Sequence, residues 1–197
     1  MTLHEAMHAY VSYWLGDDTA KLQGRLTLNP LAHIDPVMTL ALPLVLAIAG
    51  LPPFGAAKPV PFNPFRLKYG EFGAALVGAA GPLTNLGLAV IAALIIRFFG
   101  IGLDPLVVQI LSMLLLVNAS FFLFNIIPFP PLDGSRVLYA IAPEPVQRVM
   151  ERIEAMGPIA ILLFFLIFST ILAGPFSRLL YALISFLLGG QAGLEAL

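Results

Sequence analysis

Residues 105–132 have the sequence PLVVQILSMLLLVNASFFLFNIIPFPPL, a stretch of 28 residues without a charged side chain. A helix that crosses a lipid bilayer needs about 20 mostly apolar residues in a row. The stretch therefore predicts a membrane-spanning helix, and the prolines near its end predict that this helix stops before Asp133.

Further uncharged stretches lie on both sides of this one, at Val37–Ala57, Phe72–Ile96 and Ala155–Ser177, with a short run at Leu179–Leu188 after Gly174-Pro175. The part Val37–Leu51 is short for a span, and we expect Gly174-Pro175 to separate the last run from the one before it. No stretch alternates polar and apolar residues as membrane β-barrel strands do. We expect an all-α fold, a polytopic transmembrane helix bundle.

The composition agrees with a lipid environment. Hydrophobic residues make up 59% of the 197-residue chain and charged residues 11%, against about 45–50% and about 25% in soluble domains. The net charge of −1, with ten scattered Lys and Arg residues, gives no basic stripe for nucleic acid. We expect one domain over residues 1–197; the oligomeric state is left open by the sequence.

The chain begins with the pattern His4-Glu5-Ala6-Met7-His8. On a helix, residues four apart share a face, so both imidazoles can bind one metal ion such as zinc. Glu5 stands beside the first histidine, where it can take a proton from a water molecule at the metal. A surface helix with two histidines is the alternative, but the chain has only three histidines.

The helix that carries this pattern is short. Met1–Leu15 has a helical pattern and Gly16 is a natural stop. Fifteen residues rise only about 22 Å, less than the roughly 30 Å of the hydrocarbon core. We expect a partial first helix, or one truncated at its N-terminus with apolar residues upstream in the natural protein.

A catalytic zinc site uses three protein ligands and keeps one position open. With no cysteine in the chain, Asp133 is the best third candidate, because it closes the long uncharged stretch while the other acids lie in polar turns or terminal segments. Two alternatives stay open. Asp133 is also a possible cap of a helix at Ser135–Ile141, and His33 is the remaining imidazole, although a hydrogen bond within its own loop is favoured.

Two motifs together resemble the site-2 protease family of intramembrane zinc metalloproteases. They are His4-Glu5-x-x-His8 and Asn125-x-x-Pro128-x-Pro130-x-x-Asp133-Gly134, supported by Gly81-Pro82-Leu83-Thr84-Asn85 and Gly16-Asp17-Asp18-Thr19-Ala20. The resemblance covers nearly the whole chain and fits compact members without a PDZ or CBS domain.

The resemblance implies a zinc site made by His4, His8 and Asp133, with Glu5 as the catalytic base. It also implies that Asn85 lies near the site, where its amide is placed to steady an oxyanion. The substrates implied are transmembrane segments of other membrane proteins, cleaved within a lipid bilayer.

The proline-rich segment Ala57–Pro64 predicts a small strand-like, membrane-associated loop. A substrate helix must unwind before cleavage, and an extended segment can pair with the unwound stretch by strand addition. The substrate-binding residues predicted on this basis are Lys58, Val60, Phe62 and Asn63, with Phe62 offering an apolar contact.

If successive elements alternate in direction, the loop Pro52–Gly70 lies on the membrane side of His4 and His8, opposite the loop Gly16–Pro36. The segment Pro143–Met156 falls on the first side as well. Lys and Arg then number five on the first side (Lys58, Arg66, Lys68, Arg148 and Arg152) and three on the other (Lys21, Arg25 and Arg97). The positive-inside rule predicts a multi-pass protein of the cell membrane with its zinc site nearer the cytoplasmic side.

Two other functions are compatible with some of these features. A metal-ion transporter also places His and Asp within membrane spans, although it has no need of Glu5 and would more often show inverted repeats. A catalytically inactive scaffold of the same fold is the second, and the intact Glu5 argues against it.

Overall fold

The computed structural model describes residues 1–48 and 58–190. Within these ranges the chain forms helices α1 (Thr2–Trp14), α2 (Thr19–Leu22), α3 (Leu42–Ile48), α4 (Glu71–Phe99), α5 (Pro105–Asn125), α6 (Gly134–Ile141), α7 (Glu144–Ala155), α8 (Pro158–Ile167) and α9 (Ala173–Leu188). The all-α prediction is confirmed. The described part of the strand-like loop, from Lys58 onward, is not paired into a β-sheet with any described residue.

Among the described residues, three helical segments are long and apolar enough to cross a membrane: Glu71–Gly102, Pro105–Asn125 and Ile159–Leu188. They confirm the spans predicted at Phe72–Ile96 and in the first part of residues 105–132. Helix α5 ends at Asn125, before the prolines that follow, because proline cannot donate the backbone hydrogen bond that continues a helix.

The predicted break at Gly174-Pro175 is wrong. Helix α8 continues through a π-helical turn at Phe168–Leu172 into α9, and Pro175 lies in the first turn of α9. A local widening of the helix re-satisfies backbone groups that a proline would otherwise leave unpaired. The last two apolar runs therefore form one candidate span.

The described part of the stretch Val37–Ala57, residues 37–48, contains no helix long enough to count as a candidate membrane span. A π-helical turn at Pro36–Ala41 leads into α3, which has only 7 residues and therefore rises about 10 Å. The rest of this prediction, residues 49–57, lies outside the described residues.

The structure divides into two compact units, Met1–Gly81 and Pro82–Leu197. The boundary falls inside α4, which is one unbroken helix, so no linker separates the units in sequence. The single-domain assignment stays a prediction, and each unit is described by itself.

In the first unit, the two polar loops that were expected on opposite sides are bonded to each other. The Lys68 amide donates to the Leu15 carbonyl at 2.8 Å, and the Lys58 amide donates to the His33 carbonyl at 3.0 Å. Arg66 also pairs with Asp18 at 2.7 Å. The alternating arrangement is therefore wrong, because segments on opposite sides of a bilayer cannot share backbone hydrogen bonds. The charge count built on that arrangement no longer supports an orientation.

The extended segment runs beside α1 in this unit. Val60 is buried in a small core with Ala9 and Ala20. Phe62 packs against a neighbouring core that contains Leu67 and Val77. These contacts keep the segment alongside α1, at the position of Ala9, which directly follows His8 in the sequence.

The second unit is built on close helix packing. Small side chains of α4 and α5 meet larger ones of α9 in its core, which consists of Ala89, Ala92, Ala93, Ile96, Leu115, Ala119, Ile184 and Leu188. Helices α6 and α7 are joined at the surface by Arg136 with Glu154 at 2.5 Å and by Tyr139 with Glu151 at 2.6 Å. Helix α7 buries Met150 and leaves most of its charged side chains exposed.

Candidate metal centre

Helix α1 places the two histidines of the HExxH pattern on one buried face. The Nε2 atoms of His4 and His8 are 3.2 Å apart, and the two rings meet edge to face with centroids 4.7 Å apart. Two nitrogens bound to one tetrahedral zinc at about 2.05 Å would be about 3.3 Å apart. The spacing of this pair therefore fits two ligands of a single zinc ion.

The ring of His8 is oriented by a backbone group of α4. Its Nδ1 lies 2.6 Å from the carbonyl oxygen of Val77. A ring N–H that donates to a carbonyl fixes the tautomer and leaves the other nitrogen to bind metal. This arrangement presents the Nε2 of His8 toward His4.

Gly81 provides the space for both rings. A Cβ atom at this position would lie 2.6 Å from Cε1 and 2.7 Å from Nε2 of His4, and it would also collide with Nε2 of His8. Any larger residue at position 81 would displace the two rings. The position of this glycine in the motif Gly81-Pro82-Leu83-Thr84-Asn85 was the signal that sequence reasoning left unused.

Glu5 lies in the first turn of α1, next to His4. Its side chain is partly exposed, whereas both histidines are buried. A carboxylate at this place is accessible to water beside the ligand pair, as a general base requires.

Asp133 stands at the N-cap position of α6, but its side chain makes no capping hydrogen bond. The capping role considered as an alternative is therefore not the one its side chain performs. The following Gly134 is required by the fold, because a Cβ there would lie 2.5 Å from the carbonyl carbon of Ile126 and 2.7 Å from the carbonyl oxygen of Ile127. The Asp-Gly step is thus held against the end of the preceding segment.

Asn85 is buried in α4 and pairs with a residue that sequence reasoning missed. Its Nδ2 donates to Oδ1 of Asn118 on α5 at 2.8 Å, and Nδ2 of Asn118 donates to the carbonyl of Leu114 at 2.8 Å. The signal was an amide side chain in an otherwise apolar span, which is costly there unless it is bonded. Asn118 sets which way the Asn85 amide faces.

The third histidine has a structural place. His33 is buried, and its Nε2 lies 2.9 Å from the carbonyl oxygen of Thr27. The bond lies within the same polar loop between α2 and α3, in agreement with the favoured interpretation of His33.

The predicted substrate residues have different environments. Lys58 is exposed and Val60 is buried, and the ring of Phe62 packs inward. Asn63 uses its side chain to accept from the Phe65 amide at 3.0 Å and so caps the turn Pro64–Arg66. The expected apolar contact from Phe62 stays a prediction, because the ring packs against the core while part of it remains exposed.

Asp17, set aside in the sequence as a residue after a helix stop, is fully buried. Its carboxylate accepts from Thr19, Ser12 and the backbone of Asn63. Burial by itself would raise the pKa of Asp17, but these hydrogen bonds outweigh it and hold the pKa below its ordinary value. Asp17 is therefore a buried carboxylate that stays ionised.

A buried histidine pair in HExxH spacing, together with three candidate membrane spans in the described part of the chain, defines the class as a membrane metalloprotease. The model of peptidase family M50 matches residues 101–168. The chain belongs to peptidase family M50, the site-2 protease family.

Relatives agree with this assignment. YwhC of Bacillus subtilis is 41% identical over 171 residues, which cover 83% of this chain and 75% of YwhC. Rip2 of Mycolicibacterium smegmatis is 28% identical over 158 residues, covering 80% of this chain and 60% of Rip2. Rip2 of Mycobacterium tuberculosis is 27% identical over 167 residues, covering 84% of this chain and 63% of Rip2. This chain thus spans less than two thirds of either Rip2. All three are provisionally named zinc metalloproteases. No solved structure matches the chain significantly.

Proposed function

We propose that this chain is a zinc-dependent endopeptidase that hydrolyses peptide bonds within transmembrane segments of other membrane proteins. The observation that carries the proposal is the buried pair of imidazole nitrogens, 3.2 Å apart, in a chain whose described residues include three candidate membrane spans. The name that the relatives share supports zinc as the cofactor.

His4, His8 and Asp133 are the proposed metal ligands. Two imidazoles with one carboxylate are a donor set that zinc accepts. A bound zinc would supply an acidic water molecule and polarise the scissile carbonyl.

Glu5 is the proposed base, which takes a proton from the attacking water. Asn85 is proposed to donate an amide N–H to the oxygen on which negative charge develops during attack. The bond to Asn118 supports this role, because it holds the Asn85 side chain in one orientation before substrate arrives.

The proposed docking site for unwound substrate is the backbone of the extended segment rather than its side chains. Within the described residues, no hydrogen bond engages the backbone of Val60 or Phe62. In an extended chain, residues two apart point their N–H and C=O groups to the same edge. Val60 and Phe62 thus offer a short edge for strand addition, and Lys58 and Asn63 flank it.

The experiment that tests the proposal compares the wild type with Glu5→Gln on a model transmembrane substrate in detergent or liposomes. The amide cannot accept the proton, so cleavage should fall by at least about 10²–10⁴-fold. Zinc content should remain unchanged, because Glu5 is not a ligand.

Unchanged cleavage by Glu5→Gln would contradict the role of base. Absence of cleavage by the wild type, with zinc bound, would leave the inactive scaffold as the better description. Zinc uptake into liposomes that Glu5→Gln does not alter would favour the transporter.

The chain is an integral membrane protein, and we propose the cell membrane as its location. A cytoplasmic position of the metal site stays a prediction that now requires a direct labelling test. The chain has no cysteine, so single introduced cysteines can provide it.

A further inference from the structure

Asp17 connects three parts of the first unit through one buried carboxylate. Oδ1 accepts from the amide and hydroxyl of Thr19, at 3.1 and 2.5 Å. Oδ2 accepts from the Asn63 amide at 2.6 Å and from the Ser12 hydroxyl at 3.3 Å. The two oxygens thus serve different neighbours, with one holding the start of α2 and the other holding the extended segment to α1.

The bond to Asn63 fixes one end of that segment. Prolines at positions 59, 61 and 64 remove backbone donors, so few groups are able to anchor it. The Lys58 amide is bound at one end by the His33 carbonyl, 3.0 Å away, and the Asn63 amide is bound at the other end by Asp17. Between the two anchors lie Val60 and Phe62.

We propose that Asp17 is a positioning residue, which holds the segment Lys58–Asn63 at a fixed place along α1 so that its backbone edge can receive substrate. This inference rests on the proposed proteolytic function. A hydrogen bond to an ionised acceptor is about twice as strong as a neutral one, and the full burial of Asp17 removes competition from water.

The chemistry of the carboxylate offers two complementary variants. In Asp17→Asn, the amide oxygen can stay with the two donors of Thr19, and the new NH₂ group then faces Ser12 and Asn63. The Ser12 hydroxyl can turn and accept, but the Asn63 N–H cannot. Asp17→Asn should therefore break the bond to the segment while keeping those to α2. Thr19→Val does the reverse, since it removes one bond on Oδ1 and leaves the Asn63 bond in place.

The first measurement is hydrogen exchange of residues 58–64 in the full-length protein, which requires no activity. The Asn63 amide, which donates to Asp17 in the wild type, should exchange at least about tenfold faster in Asp17→Asn, whereas in Thr19→Val it should match the wild type. Equal exchange in the wild type and Asp17→Asn would overturn the proposal, whatever the enzyme does.

The second measurement is cleavage of the model transmembrane substrate, with zinc content determined on the same samples. Asp17→Asn should raise KM by about tenfold with smaller change in kcat and with zinc retained, while Thr19→Val keeps the wild-type KM. A parallel fall of activity and zinc content in both variants would assign Asp17 a merely structural role. Failure of the proposed function is recognised separately, because the wild type itself would then not cleave.

Discussion

The two units differ in how many polar side chains they bury and in what those side chains bind. Among the described residues, the buried polar or charged ones of the first unit are His4, His8, Ser12, Asp17, Arg25 and His33, and those of the second are Asn85, Asn118 and Ser135. The first unit contains long irregular segments, while the second is dominated by long helices and packs through small apolar residues.

The difference follows from where backbone groups find partners. A helix satisfies its own N–H and C=O groups, so its side chains can be apolar throughout. Irregular segments need partners from side chains or other segments, and Asp17 and Asn63 supply them in the first unit. The histidine pair lies in that first unit, where buried polar groups are common and their geometry is set by specific hydrogen bonds.

The largest expected effect is the loss of zinc when a proposed ligand is replaced, compared with the replacement of His33, the remaining histidine of the first unit. His8→Ala and Asp133→Ala should lower zinc from about one ion per chain to near zero, because a structural or catalytic zinc is held by few ligands. His33→Ala should retain zinc, since His33 is bonded within its loop. Metal analysis of purified protein measures this, and full zinc in Asp133→Ala would exclude Asp133 as a ligand.

A second test compares two glycines of the same helix, α4. Gly81→Ala should displace the imidazoles of His4 and His8 and remove most zinc and activity, because its Cβ collides with both rings. At Gly87 a Cβ meets nothing within 4 Å, so Gly87→Ala should keep zinc and stabilise the helix by roughly 0.5–1 kcal/mol. Equal zinc content in the two variants would mean that Gly81 is only a packing residue.

A third test concerns the buried amide pair of the second unit. Asn118→Ala should lower kcat by about tenfold through loss of Asn85 orientation, while an interhelical polar bond in a membrane contributes only about 0.6 kcal/mol to stability. Asn85→Ala should have a similar effect, and the double variant should be no worse than either single one. Ser120→Ala, on the same helix, is the control because Ser120 bonds only to Leu116. Additive losses in the double variant would show that the two residues act independently.

The smallest expected effect is the pH dependence that Asp17 gives to the first unit. Because its pKa is lowered in the folded state, its contribution to stability is present above the unfolded value of 3.8 and is lost as the pH falls through the folded pKa. The groups that face it are Ser12, Thr19 and Asn63, with the exposed pair Asp18–Arg66 nearby.

The difference in Tm between the wild type and Asp17→Asn should therefore be constant from pH 7 to about pH 5 and shrink below about pH 4. Thermal unfolding in detergent across this range measures it. A difference that grows on acidification would have the opposite sign and would contradict an ionised Asp17.

Much of the fold was accessible from the sequence where one physical requirement dominates. The spans at α4 and α5 follow from uninterrupted apolar stretches that only a helix can place in lipid, and Gly16 stops α1 with a φ of +103°, where glycine has no Cβ to clash. The errors came where local signals compete with packing. The pair Gly174-Pro175 predicts the end of a helix. In the structure the helix instead continues through this pair, because a π-helical turn at Phe168–Leu172 precedes it and Pro175 lies in the first turn of α9.

By itself, the sequence determined the all-α membrane class, the HExxH histidines and the family motifs, because these depend on composition and on spacing along a single helix. Tertiary structure alone decided that the loops at Gly16–Pro36 and Lys58–Gly70 are bonded together. It also decided that Gly81 leaves room for the two histidine rings, that Asn118 pairs with Asn85 and that Asp17 binds the Asn63 amide. Contacts between residues far apart in sequence depend on how the segments pack. The distance in space between two such residues cannot be read from a single sequence.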